Sequence, residues 1–243
     1  MARLVEKIAL VTGAGRRLGA AIAVGLARAG CDIAVHHHAS AAGAEETLRA
    51  ARATGRRAER FPGDLRDAAV AKALPDLVAQ TFGRLDIVIN SAAVIARADL
   101  ADISPEAWHD ALALNVSAAF FVSQGAATHL VRRRGKIVNV ADVAAFEVWP
   151  SYLPLNISKA AVVMLTHGLA RVLAPEITVN AVAPGAILPP DDWPDSARAH
   201  LIETTPLKRL GAPDDVVQAV LFLLHSDYMT GVVLPVDGGR LIR

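Results

Sequence analysis

What most constrains this chain is an alternation that runs from end to end. Short runs that read as strands (KIALVTG, CDIAVHH, RAERFP, LDIVINSA, GKIVNVA, EITVNAVAP and GVVLPVDG) are separated by longer, alanine-rich segments of helical period. The runs are apolar almost throughout rather than alternating, as parallel strands covered on both faces require. A helical segment such as LGAAIAVGLARAG ends on a glycine in the expected stop position. Strand–helix–strand order with right-handed crossovers predicts an α/β fold, a doubly wound parallel sheet. No repeat or low-complexity linker breaks the pattern, so residues 1–243 read as a single domain. One proline- and acid-rich interruption, LPPDDWPDSARAHLIETTP, predicts a loop with a short helix and a substrate lid near 186–206.

Composition excludes several classes of partner. A hydrophobic content of 53% can fill a core, and with only 5% aromatics that core must be Ala, Val, Leu and Ile. A net charge of +1 provides no field to gather nucleic acid or hold a membrane surface, and no stretch is expected to span a bilayer. The single cysteine, Cys31, excludes an intrachain disulfide and suits a reducing compartment, so a cytoplasmic location is expected. His109, His129, His167 and His225 stand singly, so no metal site is expected. RRRGK at 132–136 reads as a solvated helix end.

The segment TGAGRRLG, residues 12–19, follows a strand and opens a helix. Gly13 and Gly19 allow a tight turn and close helix-to-strand packing, and the helix N-terminus presents N–H groups and a positive dipole to a pyrophosphate. Many turns carry glycine for backbone reasons only, but the strand–turn–helix context favours the dinucleotide turn of a Rossmann fold over a plain one. The second strand ends in VHHHAS, with no carboxylate for ribose hydroxyls. His38 and Ser40, with Arg16 and Arg17 of the turn, instead offer donors and positive charge suited to a 2′-phosphate, favouring NADP(H) over NAD(H). The alternative is that the three histidines are simply solvated.

Together TGAGRRLG, NSAA at 90–93, Asn115 in ALNVSAAFF, PG at 184–185 and the ending PLKRLGAPDDVVQAVLFLL…TGVVLPVDGG resemble the short-chain dehydrogenase/reductase family over residues 6–240. Within it, the glycine turn, HHHASAA and NAVAPGAILPP look most like the pteridine reductases, which reduce pterins and folates with NADPH. The resemblance implies a cofactor site lined by Gly13, Arg16, Arg17, Leu18, Gly19, His38, Ser40, Asp64, Leu65, Asn90, Ala92, Lys159, Pro184, Gly185 and Ile187. It implies a proton-relay water at Asn115, a ribose contact at Lys159, and substrate contacts at Asp142, Tyr152, Ile95 and Arg17. It also implies a homotetramer built on the helices at 104–131 and 154–174.

Two positions depart from the family. Its catalytic tyrosine falls on Leu155, which can neither donate nor accept a proton, and its pterin-stacking aromatic falls on Ile95. An aliphatic residue loses offset stacking worth about 1 kcal/mol. Asp142 could supply the proton if burial keeps its carboxyl protonated, or it could merely bind a loop. Tyr152 is a second candidate, but Pro154 as the first helical residue predicts Ser151–Leu153 outside the helix. Three functions stay open: a pteridine reductase-like enzyme, a reductase of a non-pterin carbonyl compound, and a catalytically silent NADP(H)-binding protein.

Overall fold

A computed structural model describes residues 4–189 and 193–242. All seven expected strands form: β1 (Ile8–Val11), β2 (Asp32–His37), β3 (Ala58–Pro62), β4 (Ile87–Asn90), β5 (Lys136–Val140), β6 (Thr178–Pro184) and β7 (Val233–Val236). They make one parallel sheet in the order β3-β2-β1-β4-β5-β6-β7. The order reverses direction between β1 and β4, which opens a crevice at the carboxyl ends of the strands.

Side-chain parity along the strands divides the core in two. Ala9, Val11, Ile33, Val35, Ile87 and Ile89 pack beneath α1 (Arg17–Arg28), α2 (Ala41–Arg52) and α8 (Pro213–His225). Ile8, Leu10, Ala34, Val88, Ile137 and Val179 face the other way, onto α3 (Ala68–Phe82), α5 (Ala118–Val131) and α6 (Leu153–Leu173). Leu10, Ile89 and Ile137 are fully enclosed, each contributing about 1.5–3 kcal/mol by leaving water. Small residues let the layers close: a Cβ on Gly25 would sit 2.4 Å from Val217 of α8.

Local signals set the helix ends. The Asp67 side chain accepts from the Ala69 and Val70 N–H groups to cap α3, which stops at left-handed Gly83. The Ser104 hydroxyl caps α4 (Pro105–Leu112), and Pro105 occupies its first turn. The expected glycine stop of α1 is present as Gly30, at φ 105°. The α6 helix begins at Leu153 with Pro154 in its first turn, one residue earlier than the proline implied. Ser151 and Tyr152 form a 3-10 turn outside it.

The expected single helix over 104–131 is interrupted by a π-helical turn, Ala113–Ser117, which carries Asn115. Contrary to the sequence expectation, the run Pro105–Val131 is long and apolar enough, by length and composition, to cross a membrane. Here α5 packs along α3 and buries Ala118, Val122, Ala126 and Leu130 in the core. Of the lid segment, α7 (Asp195–Thr204) is the expected short helix, while residues 190–192 lie outside the described residues.

Candidate active site

The sequence-predicted residues converge at the carboxyl ends of the strands. After β1 the chain makes the glycine turn, with Gly13 at φ 66°. A Cβ there would lie 2.8 Å from the Ala92 Cα, and one on Gly19 would lie 2.4 Å from the Gly13 carbonyl oxygen. Gly13 therefore demands glycine by conformation and by close approach, and Gly19 by close approach. Buried Thr12 fastens the turn to the NSAA segment, because its Oγ1 accepts from the Ser91 and Ala92 N–H groups at 3.0 and 3.1 Å. Arg16 precedes α1 in extended conformation, and no acidic side chain competes for the first turn of that helix. Its first N–H groups, at Arg17, Leu18 and Gly19, have no intrahelical partner and point where an anion would sit.

Arg17 has a left-handed φ of 52°, and its guanidinium donates to the Leu188 carbonyl. One residue thus joins the glycine turn to the onset of the lid segment. At the end of β2, Ser40 stands at the start of α2 with a hydroxyl that caps nothing in that helix. His38 lies 3.6 Å from Asp64, both exposed.

The three histidines are not equivalent, and a solvated cluster is the wrong description for two of them. His36 and His37 are buried. His36 Nδ1 accepts from the Gly13 N–H at 3.2 Å, and its Nε2 lies 3.1 Å from the Gly63 carbonyl. Burial lowers its pKa to about 4, so the ring is neutral near pH 7.

On the other side of the crevice, Asn115 is clamped to the loop after β4. Its Oδ1 accepts from the Val94 N–H at 2.8 Å and its Nδ2 donates to the Val94 carbonyl at 3.1 Å. The same Nδ2 reaches Ser158 Oγ at 2.9 Å, and Ser158 donates to the Leu155 carbonyl at 3.0 Å. Lys159, one residue on, is buried and donates to the Val140 carbonyl at 2.7 Å. Desolvation lowers its pKa, and only Asp142 pulls the other way.

Asp142 follows β5 at the head of a 3-10 turn, where its Oδ1 accepts from the Ala144 N–H at 2.8 Å. Its Oδ2 makes no hydrogen bond among the described residues. Burial raises its pKa, against the Ala144 hydrogen bond and the charges of Lys159 and Arg240. Asn156 anchors this loop to α6, donating to the carbonyls of Ala144 and Glu147 at 2.8 Å each. Buried Arg240 approaches Glu147 at 3.9 Å. The outer wall is apolar and aromatic: Ile95 is exposed, and Trp149 packs edge-on against Tyr152 at 5.9 Å. The Ala98 N–H donates to the Ser151 carbonyl at 3.0 Å, tying the Ile95 loop to the Tyr152 turn.

Three expected residues, Asn90, Leu65 and Ile187, sit otherwise than a cofactor lining suggests. The Asn90 side chain turns into the core, donating to Ser123 Oγ at 3.1 Å and Asn139 Oδ1 at 2.9 Å. Asn139 continues the chain to Thr166 at 2.9 Å. Strand parity explains it, since position 90 shares the face of Val88. Leu65 is a core residue, Ile187 packs against the core with Leu188, and Leu155 is 2% exposed. Pro184 and Gly185 close β6, where a Cβ on Gly185 would meet Asp237 at 2.9 Å. A cavity of about 480 Å³ lies beside this turn, lined by Ile187, Thr205, Pro206, Arg209 and Asp237 but by none of Asp142, Tyr152 or Lys159. Sequence reasoning passed over Thr12, His36, Asn156, Ser158 and Arg240. Only His36 carried a local signal, its parity on β2. No cluster of His, Cys, Asp and Glu fit for a metal occurs among the described residues.

Known proteins resemble this chain in sequence and fold. The family described as Enoyl-(Acyl carrier protein) reductase matches residues 13–240. A 2-dehydro-3-deoxy-D-gluconate 5-dehydrogenase of Escherichia coli is 36% identical, over 99% of this chain and 97% of its own length. A 3-oxoacyl-(acyl-carrier-protein) reductase of Thermotoga maritima is 32% identical over 99% of this chain and all of its own, 100%. A short-chain dehydrogenase from Burkholderia cenocepacia, solved in complex with NADP, superposes with a TM-score of 0.92 at 36% identity, covering 98% of this chain and 99% of that one. With a seven-stranded parallel sheet, a glycine turn and an Asn–Ser–Lys cluster in place, the chain belongs to the short-chain dehydrogenase/reductase family of oxidoreductases.

Proposed function

We propose that this chain is an NADP(H)-dependent reductase acting on the C=O or C=N bond of a small molecule. The observation that carries the reading is Asp142, a half-buried carboxyl with a raised pKa and an uncommitted oxygen just after β5. The glycine cradle, the free N–H groups of α1 and the donors Arg16, Arg17, His38 and Ser40 fit a dinucleotide with a 2′-phosphate. When bound, NADPH supplies a hydride to the electrophilic carbon. Asp142 then delivers a proton to the oxygen or nitrogen of the same bond, which completes a two-electron, two-hydrogen reduction. Lys159 holds the nicotinamide ribose, and Asn115 keeps the loop after β4 in register with α6.

A pterin or folate suits the site through Asp142, an acid matched to an imine nitrogen, and through the Trp149–Tyr152 pair, which supplies aromatic surface that Ile95 lacks. A non-pterin carbonyl compound is the second reading, favoured by relatives named as a sugar-acid dehydrogenase and ketoacyl reductases. The silent cofactor-binding reading is favoured by Leu155, a buried aliphatic where the family carries its acid. The test is NADPH oxidation by pure protein against dihydropterin, dihydrofolate, a β-keto ester and a keto sugar acid. Turnover of the first pair alone supports the pterin reading, and turnover of the second pair supports the carbonyl one. Tight NADPH binding with no turnover on any of them leaves the silent reading standing.

A further inference from the structure

We infer that His36 is a positioning residue for the dinucleotide, a neutral imidazole in one tautomer that locks the pyrophosphate turn to the loop after β3. The inference rests on the NADP(H) reading above. Gly13 can only donate through its N–H, so His36 Nδ1, 3.2 Å away, must be the unprotonated nitrogen. The proton therefore sits on Nε2, and its partner at 3.1 Å is the Gly63 carbonyl. The backbone of the same residue adds a second tie, because the His36 carbonyl accepts from the Ala14 N–H at 2.8 Å. One residue thus takes both leading N–H groups of the glycine turn.

This leaves the phosphate donors to the rest of the turn and to α1. With Gly13 and Ala14 committed to His36, a pyrophosphate can draw on the N–H groups that follow, among them Arg17, Leu18 and Gly19 at the head of the helix. The ring also fixes where those groups lie, since the Gly13 carbonyl packs under Gly19 and its α-carbon packs against Ala92. At its other nitrogen the ring holds Gly63, the residue before Asp64, whose own N–H donates to the His37 carbonyl at 3.0 Å. The turn and the loop after β3 are therefore held as one body.

Charged groups around the ring do not overturn its neutrality. Burial dominates, His37 and His38 act in the same direction, and the Gly63 hydrogen bond and Asp64 oppose it. A protonated ring would place a donor against the Gly13 N–H and break the lock.

The test uses the full chain and NADP⁺, with affinity read by titration calorimetry. His36→Asn keeps an acceptor where Nδ1 stands and loses the reach to Gly63. His36→Gln keeps the Nε2 donor and loses the Gly13 acceptor, and His36→Leu loses both. A single hydrogen bond accounts for a change of roughly two- to tenfold. His36→Leu should weaken NADP⁺ binding most, His36→Gln by about that factor, and His36→Asn least, because it keeps the Gly13 acceptor and loses only the Gly63 tie. Saturating cofactor should restore the turnover number of each variant, so that the loss resides in KM. Nitrogen NMR of the parent should report a neutral Nε2–H tautomer at neutral pH, with or without cofactor. Equal affinity in all four proteins, rescue by His36→Gln rather than His36→Asn, or an Nδ1–H or charged ring overturns the inference. If His36→Leu fails to fold, the tautomer and the two amide variants decide. A parent that does not bind NADP⁺ at all defeats the cofactor reading and this inference with it.

Discussion

Lys159 directs its ammonium at the Val140 carbonyl oxygen, 2.7 Å away and two residues before Asp142. The side chain that would hold the ribose is thus preset by the same strand end that presents the acid. Hydrogen bonds from a charged donor contribute about 1.5–3 kcal/mol, so Lys159→Met should weaken NADPH binding by roughly tenfold or more on the same scale. Fluorescence titration checks it, and an unchanged affinity would remove Lys159 from the cofactor site.

For Asp142 the pH dependence has a definite sign. Its folded pKa is raised above the ordinary 3.8 by burial, so the folded state binds this proton more tightly than the unfolded chain does. That contribution to stability is complete below 3.8 and disappears as pH rises through the folded value. Asp142→Asn should therefore melt at or above the parent temperature at pH 7 and lose that advantage in acid. If the carboxyl donates the proton, parent turnover should also fall as pH rises through the same value, and the variant should be inactive. Full activity in Asp142→Asn would assign the proton to another group.

Leu155→Tyr places a phenol one helical turn before Lys159. General acid catalysis by a positioned group is worth about 10²–10⁴-fold, and at least a tenfold gain in turnover on the best substrate is expected on that scale. Because Leu155 is buried, the larger ring should also reduce stability by about 1–3 kcal/mol. A variant that binds NADPH and stays folded but gains nothing would favour the silent reading.

Cys31 lies in the core, its Sγ 3.4 Å from the Leu4 carbonyl. Burial, with Asp86 and Asp32 adding to it, pushes the thiol pKa up to about 12. Native protein should resist a thiol-specific disulfide reagent and release one equivalent only on denaturation, as mass spectrometry would show.

Assembly follows from the surfaces of α5 and α6, which leave Phe120, Met164 and Val172 exposed. Apolar helix faces of this kind need covering, and a homotetramer, or at least a dimer, is the expected solution state. Light scattering at micromolar concentration checks it. A monomer would count against the assembly, and Met164→Glu should shift the balance towards smaller species.

The sheet was legible because a parallel strand covered on both faces writes its burial into unbroken Val, Ile and Ala runs. The glycine turn was legible because Gly13 takes a positive φ and Gly19 meets the Gly13 carbonyl, both demands made within eight residues of chain. Features that depend on distant partners were not. The π turn at Asn115 rests on Val94, and nothing in the flanking helical period announces it. Asn90 belongs to a polar thread through Ser123, Asn139 and Thr166, and only strand parity could have turned it away from the cofactor. Three successive histidines looked alike as letters, yet β2 buries two of them and exposes the third. The position of Pro154 located the start of α6 to within one residue, because a missing N–H is tolerated only in a first turn.

The amide of Asn115 grips the Val94 peptide from both sides and hands its remaining hydrogen to Ser158, on the turn that carries position 155. The wall that would meet a substrate and the helix that carries Lys159 are therefore coupled through one side chain. Swapping the loop at 94–98 for that of another enzyme would tilt the first turn of α6 unless its backbone still presented the same N–H and carbonyl pair. In this protein, selectivity and reactivity cannot be engineered as independent parts.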